Sequence, residues 1–289
     1  MRGRVYAALV IARRQVFETL LAPGLYVSLA LGLLLGFFLV TGFASSIDSA
    51  GLNPSLNPLY DLIDRSLSGT FGTAFVAKLF AEGPFALALV VSFLPVFLFL
   101  AMSFVLRFGQ EKNAGALELL AYGPADGTSC ILATFLTQAV FTAGTMLVLA
   151  AFLWLSAAMG NLVLGPLFLL VLPLFLVLSL PLYAFGILCS ILASTASAAL
   201  AAFLGILAFF LLVLGGSLAI ASAGLHTAAS IAAAIVQWVS PLFYASLCIR
   251  AAEVGSVGEA LGALALLMLL AVLLLAAGHF AIARRGVRA

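Results

Sequence analysis

Long apolar runs separated by short polar segments dominate this sequence. Because a helix of about 20 apolar residues crosses the hydrocarbon core of a bilayer, each uninterrupted run of that length predicts a membrane span. Six runs qualify, and we number them spans 1 to 6: residues 24–44, 85–106, 131–157, 165–192, 199–223 and 258–283. The pattern therefore predicts an all-α polytopic membrane protein, with residues 1–289 forming one transmembrane domain.

A seventh apolar stretch, residues 228–249, precedes span 6 and is interrupted by Gln237, Trp238 and Ser240-Pro241. Non-helical backbone at membrane depth is tolerated only where protein buries it. We therefore predict a re-entrant or broken helical segment at the outer face of the membrane, immediately before span 6.

The first 23 residues mix apolar and basic positions. Apolar residues recur there at helical spacing: Val5, Leu9, Ala12, Val16 and Leu20. Arg13 and Arg14 fall elsewhere on the helical wheel. This arrangement predicts an N-terminal amphipathic helix, residues 1–23, that lies in the membrane interface with its arginines directed toward anionic lipid head groups.

Residues 107–129 separate spans 2 and 3 with a charged and patterned segment. Glu111 and Glu118 lie one heptad apart, and Gly123-Pro124 ends the helical pattern. Four residues supply an apolar surface: Leu117, Leu119, Leu120 and Tyr122. A segment that only connects two spans does not need an amphipathic design. The pattern favours a short surface helix that docks to another protein.

The longest polar segment, residues 45–84, separates spans 1 and 2. Turn-forming pairs such as Asn53-Pro54 and Asn57-Pro58 recur in it. The segment is too short for a separate domain, so we expect a lid packed on the outer mouth of the bundle. An extracytoplasmic partner could dock on this lid.

Composition strengthens the membrane assignment, and charge predicts an orientation. The chain is 65% hydrophobic and 8% charged, with a mean hydropathy of +1.32; charged residues make up about a quarter of a typical soluble domain. Nine of the 12 basic residues fall on the side of the two termini and residues 107–129. The positive-inside rule then predicts that these parts are cytoplasmic. We expect the membrane to be a bacterial inner membrane. The net charge of +2 gives no indication of nucleic-acid binding.

Residues for catalysis or cofactor binding form no recognisable motif. A P-loop requires Gly-x4-Gly-Lys-Ser/Thr, and neither Lys78 nor Lys112 has that context. Metal sites need His, Cys and carboxylate at short spacing, which the two histidines and three cysteines do not show. We expect no catalytic, cofactor-binding or metal-binding residue in this chain, and we do not predict an enzyme. If ATP drives the protein, a separate chain must bind it.

One face of span 3 carries polar side chains at helical spacing: Thr134, Gln138, Thr142 and Thr145. Two interpretations stay open, because polar residues inside a bundle commonly pack and hydrogen-bond between helices, whereas a polar stripe could also line a translocation path. The patterns Gly32-x3-Gly36 and Gly258-x3-Gly262 similarly offer close contact between helices.

The charged segment between spans 2 and 3 resembles that of a known family. The run Gln110-Glu-Lys-Asn-Ala-Gly-Ala-Leu-Glu-Leu-Leu-Ala-Tyr-Gly-Pro124 is similar to the corresponding segment in the membrane subunit of ABC-2 type (type V) ABC exporters. That family's pattern reads Glu-Glu-Lys-x2-Gly-Thr-Leu-Glu-Leu-Leu-Leu-x2-Pro. The sequence departs from it at Ala116, where the family usually has Thr.

Other parts of the chain resemble the same family in the same order. Gly186-Ile-Leu-Cys-Ser190 is similar to the small-residue end of the family's span 4, and Ser240-Pro241-Leu-Phe-Tyr244 to its outer re-entrant segment. The N-terminal amphipathic helix resembles the family's connecting, or elbow, helix. Among subgroups, the chain looks closest to gliding-motility and copper-processing (nitrous-oxide-reductase maturation) permeases.

The resemblance implies roles for residues and partners. Six residues would belong to a cytoplasmic coupling helix seated in a groove of a separate ATPase subunit: Glu111, Lys112, Leu117, Glu118, Leu119 and Leu120. The glutamates would meet basic residues there, and the leucines would be buried. Two ATPase copies would bind ATP and Mg, and this chain would pair with a second permease as a homodimer or a heterodimer. The coupling helices would transmit the closure of the ATPases to the spans.

Two other functions are compatible with the sequence. The chain could be a membrane anchor or scaffold in which ATP-driven movement acts on an extracytoplasmic partner through residues 45–84, with no transported substrate. A channel or secondary transporter is the less favoured alternative, because the spans carry no ionisable residue near their centres and ion-coupled transporters usually keep such residues.

Overall fold

The computed structural model describes residues 2–50, 85–113, 127–159, 164–223, 238–253 and 256–285. Long helices account for most of them: α1 (Arg2–Leu20), α2 (Pro23–Ala50), α3 (Phe85–Asn113), α4 (Gly127–Met159), α5 (Pro166–Leu192), α6 (Ala196–Ala223), α7 (Pro241–Glu253) and α8 (Val257–Arg285). Six of these helices, α2 to α6 and α8, are long and apolar enough to cross a membrane. The described part of the chain is therefore built from helices, and six of them identify a multi-pass membrane protein.

Each predicted span coincides with one of these six helices, but several helices continue beyond the apolar run. α3 runs to Asn113 and α4 starts at Gly127, whereas the predicted spans end at 106 and start at 131. Residues 107–113 contain Arg, Gln, Glu and Lys, which are good helix formers, so the helix does not stop where hydropathy falls. The predicted surface segment 107–129 is helical at both ends, and residues 114–126 lie outside the described part.

Helices α3 and α5 form the centre of the bundle. α3 packs against α2, α4, α5 and α6, and α5 packs against α3, α4, α6, α7 and α8. In their most apolar 18-residue windows, 56% of α3 and 50% of α5 is buried, against 17% of α6 and 22% of α8. The outer helices therefore present most of their apolar surface outward, as helices in contact with lipid do.

The contact between α2 and α3 depends on two glycines. The α-carbons of Gly32 and Gly36 face Ser92 so closely that an added β-carbon at Gly32 would overlap the Ser92 backbone oxygen. At Gly36 the added atom would meet the Ser92 hydroxyl. In contrast, a β-carbon added at Gly258 or Gly262 of α8 would meet no atom within 4 Å in the described part of the chain. Only the first of the two Gly-x3-Gly patterns therefore packs inside the described bundle.

Helix α1 packs against α4 with a face that the sequence did not predict. Its buried positions include Ala8, Ala12, Gln15 and Thr19, which recur at helical spacing. Leu9 and Leu20 of the predicted apolar stripe are exposed, and Ala12 is the one member of that stripe that is fully buried among those with described side chains. The small residues allow close approach to α4, so α1 turns its larger apolar side chains away from the bundle.

Aromatic contacts join Trp238 to the first turn of α7. The hydroxyl of Tyr244 donates to the backbone oxygen of Trp238 at 2.7 Å, and the rings of Trp238 and Phe243 lie 5.9 Å apart. Burial raises the pKa of Tyr244, so this hydroxyl keeps its proton and remains a donor. α7 covers the last part of the predicted re-entrant segment 228–249, and residues 228–237 lie outside the described part.

Candidate functional site

Polar side chains from α1, α3 and α4 meet at one end of the bundle. The amide nitrogen of Gln15 in α1 donates to the hydroxyl of Thr134 in α4 at 3.1 Å, although the two residues are 119 positions apart. The hydroxyl of Thr137 faces the backbone oxygen of Ala12 at 3.5 Å. We call this group, together with Arg107, Glu18 and Thr19, the α1 junction.

Arg107, near the end of α3, supplies the positive charge of the α1 junction. Its Nη1 lies 3.3 Å from the Thr19 hydroxyl, 3.5 Å from the Gln15 backbone oxygen and 3.5 Å from a carboxylate oxygen of Glu18. The Arg107 side chain is 28% exposed, and hydrogen bonds from a charged donor are stronger than neutral ones. Arg107 therefore holds the C-terminal half of α1 against α3.

Glu18 also binds Arg14 along α1. The Arg14 Nε lies 2.7 Å from a Glu18 oxygen. This hydrogen bond and the charge of Glu18 raise the pKa of Arg14, so the guanidinium stays charged. The Arg14 side chain is 72% exposed, and such surface pairs contribute little to stability, about 0–1 kcal/mol. The contact with Arg107 is the one that joins two helices.

Two residues of the sequence-predicted coupling group have described positions. Glu111 is partly buried and interacts electrostatically with Arg14, Arg107 and Glu18, which places it beside the α1 junction. The Nζ of Lys112 donates to the backbone oxygens of Ile191 and Ala193 at 3.0 and 2.8 Å. These oxygens belong to the C-terminal end of α5, where helical carbonyls lack intrahelical partners.

The other four members of that group, Leu117, Glu118, Leu119 and Leu120, lie outside the described residues. Their proposed contact with an ATPase stays a prediction from the sequence. What the structure adds is the placement of the flanking helices: α3 delivers Glu111 and Lys112 to the end of the bundle that carries α1.

Replacing Lys112 tests whether this residue stabilises the chain itself. We expect Lys112→Met to lower the apparent Tm of the detergent-purified protein by about 2–6 °C, because two carbonyls at the end of α5 lose a charged donor. Lys112→Arg, which keeps the charge and several donors, should lose less. An unchanged Tm for Lys112→Met would show that the contact contributes nothing to folding stability.

The polar stripe of α4 points into the helix bundle. Thr134, Gln138, Thr142 and Thr145 are all less than 8% exposed. Thr142 and Tyr183 of α5 share a hydrogen bond of 2.7 Å, and both residues are fully buried. Tyr183 in turn packs against Phe97 and Phe104 of α3, with ring centroids 5.6 and 6.2 Å away. These contacts join α3, α4 and α5, and a role of the stripe in translocation stays a prediction.

An apolar cavity of about 420 Å³ lies between α3, α5 and α6, beneath the start of α7. Phe93, Phe97, Leu178 and Phe210 are among its lining residues. The hydroxyl of Ser179 also lines the cavity but donates to the Leu176 backbone oxygen of its own helix at 2.7 Å. The cavity is therefore lined almost entirely by apolar side chains, and the Ser179 oxygen keeps only its capacity to accept a hydrogen bond.

Within the described residues, no group of three or more His, Cys, Asp and Glu is arranged to hold a metal ion. The three cysteines, Cys130, Cys189 and Cys248, are buried thiols. Burial raises the pKa of Cys248, so its thiol is a weak nucleophile.

Sequence reasoning identified Thr134 and Thr142 but missed their partners. Gln15 and Tyr183 each lie far away in the sequence from the threonine that they contact. Gln15 gave no separate signal, because it follows Arg13 and Arg14 in an amphipathic helix where a polar residue is expected on the surface.

No protein-family model, no curated protein and no solved structure matches this chain.

Proposed function

We propose that this chain is the transmembrane permease subunit of an ABC-2 type ABC transporter. It couples ATP hydrolysis by a separate ATPase subunit to export, or to conformational work across the membrane. It works as a pair of permeases with two ATPase copies, and both termini face the cytoplasm of a bacterial cell. The chain itself binds no nucleotide in this proposal.

The arrangement around residues 114–126 is the observation that carries the proposal. A force applied to this segment from the cytoplasm reaches the helices that flank it, α3 and α4. Both helices also hold α1, through the contact of Arg107 with Glu18 and the contact of Gln15 with Thr134. Movement of α3 and α4 is therefore passed to α1 and to the bundle centre together. An ATP-driven coupling helix needs this connection.

The lengths of the helices support the same proposal. α3 has 29 residues and spans about 43 Å at about 1.5 Å per residue, which exceeds the roughly 30 Å of a hydrocarbon core. Its charged end, with Arg107, Glu111 and Lys112, therefore extends beyond the apolar layer. A rigid helical extension transmits movement better than a flexible loop.

Purification from native membranes tests the proposal. The tagged full-length chain should be isolated in mild detergent after crosslinking, and the bound proteins should be identified by mass spectrometry. We expect an ATPase with a Gly-x4-Gly-Lys-Ser/Thr motif, which this chain lacks. Recovery of the chain without any such ATPase, from membranes in which it is functional, would contradict the proposal.

A further inference from the structure

A small polar cavity lies inside the α1 junction, between α1, α3 and α4. Its volume is about 10 Å³. Seven polar residues line it: Gln15, Thr19, Ser103, Arg107, Thr134, Thr137 and Gln138. The Ser103 hydroxyl donates its proton to the Leu100 backbone oxygen of its own helix at 3.1 Å. Phe104 and Phe108 close it on the side of α3. A cavity of roughly 10–15 Å³ is large enough for one water molecule.

Two buried acceptors at this cavity lack a protein partner. The side-chain oxygens of Gln15 and Gln138 make no hydrogen bond within the described part of the chain. The two side chains are 6% and 5% exposed, so bulk water does not reach these oxygens freely. Buried acceptors that remain unpaired are costly, and native structures almost always satisfy them with protein or an ordered water.

The hydrogen bonds of Thr134 determine which way the Gln15 amide points. The Thr134 hydroxyl donates its only proton to the Cys130 backbone oxygen at 2.9 Å. The same hydroxyl therefore accepts from Gln15, which must present its NH2 group at 3.1 Å. With the nitrogen used in this way, the Gln15 oxygen is left without a partner beside the cavity.

We infer that one ordered water molecule occupies this cavity and joins α1 to α4. It donates one hydrogen bond to the Gln15 oxygen and the other to the Gln138 oxygen. The Arg107 guanidinium, which lines the same cavity, is the donor for a lone pair of the water. Two acceptors and one donor match a water that makes about three hydrogen bonds.

The charges around the cavity favour water over an ion. A cation would be bound by the two amide oxygens but repelled by Arg107, and an anion would be attracted to Arg107 but repelled by the oxygens. A neutral molecule that both donates and accepts satisfies all three groups. α1 is thus attached to the bundle by a charged contact, a direct amide contact and a water bridge.

A stability comparison tests this inference, using the full chain in detergent. Because the water bridge needs the Gln138 oxygen, we expect Gln138→Met to lower the apparent Tm by about 2–4 °C. Gln110→Met, in which the replaced amide is exposed, should leave the Tm unchanged. If the cavity is dry, Gln138→Met removes an unpaired acceptor, so an unchanged or higher Tm overturns the inference.

A double variant and a high-resolution structure provide two further tests of the water bridge. Gln15→Met and Gln138→Met together should lower the Tm by less than the sum of the two single effects, since both break the same bridge. A high-resolution structure of the unmutated chain should show one water within hydrogen-bonding distance of both amide oxygens. This measurement does not depend on whether the variants fold. An empty cavity in that structure overturns the assignment. Thallium bound in the cavity after a soak also overturns it, because thallium marks a site for monovalent cations.

Discussion

Replacing Gly32 with valine should destabilise the bundle strongly. A β-carbon at this position overlaps the backbone oxygen of Ser92, and a helix backbone cannot move aside as a flexible side chain can. Overpacking of this kind costs about 3 kcal/mol, which corresponds to a drop in apparent Tm of about 6–12 °C. Thermal unfolding of the detergent-purified protein, followed by size-exclusion chromatography, measures the effect.

Gly144→Val is the matched control for this prediction. Gly144 also lies inside a membrane-spanning helix, but a β-carbon added there would meet no described atom within 4 Å. The same residue change should therefore shift the Tm little at this position. Equal effects at the two positions would show that valine acts through helix propensity, and that close packing of α2 on α3 is not the cause.

Changing the predicted coupling helix should abolish binding of the ATPase. We expect Leu119→Asp to reduce the amount of copurified ATPase by at least about 100-fold. A buried unpaired carboxylate costs several kcal/mol, and about 1.4 kcal/mol corresponds to a factor of ten. Glu118→Lys should act in the same direction, because it places a cation opposite the basic residues that the family resemblance implies on the partner. Quantitative mass spectrometry of the purified complex measures both effects.

Glu259→Lys provides the control for charge reversal. Glu259 is exposed in the first turn of α8. The other end of α8 lies beside the end of the bundle that carries Lys112, since a β-carbon at Gly278 would meet the side chain of Ile191, whose backbone oxygen binds Lys112. Glu259 therefore lies at the opposite end of the bundle, and its reversal should leave the ATPase bound. Normal ATPase recovery with Leu119→Asp, at equal expression, would contradict the coupling-helix assignment.

The membrane spans could be predicted from the sequence because each depends on local composition. An apolar run of sufficient length must be helical in a bilayer, since its backbone groups have no water to bind. The helix ends were harder, because residues 107–113 are polar but remain good helix formers. Hydropathy also does not identify the central helices: α8 is as apolar as α3, yet far less of it is buried. Lipid and protein neighbours both favour apolar side chains.

The α1 junction could be predicted only in part. The sequence indicated an amphipathic α1 but not which face packs on the bundle, because small residues such as Ala8 and Ala12 carry little hydrophobic signal. It indicated a polar stripe on α4 but not that Gln15 and Tyr183 are its partners. Contacts between residues more than 40 positions apart depend on how the helices assemble, which a single sequence does not reveal.

The mass of the intact complex tests whether this chain assembles with an ATPase. The chain should be purified from its native membrane and analysed by native mass spectrometry. We expect a particle with two permease chains and two ATPase chains. That particle should hydrolyse ATP, and the ATPase copies should be lost with Leu119→Asp. A functional particle that contains only copies of this chain would contradict the proposed permease function.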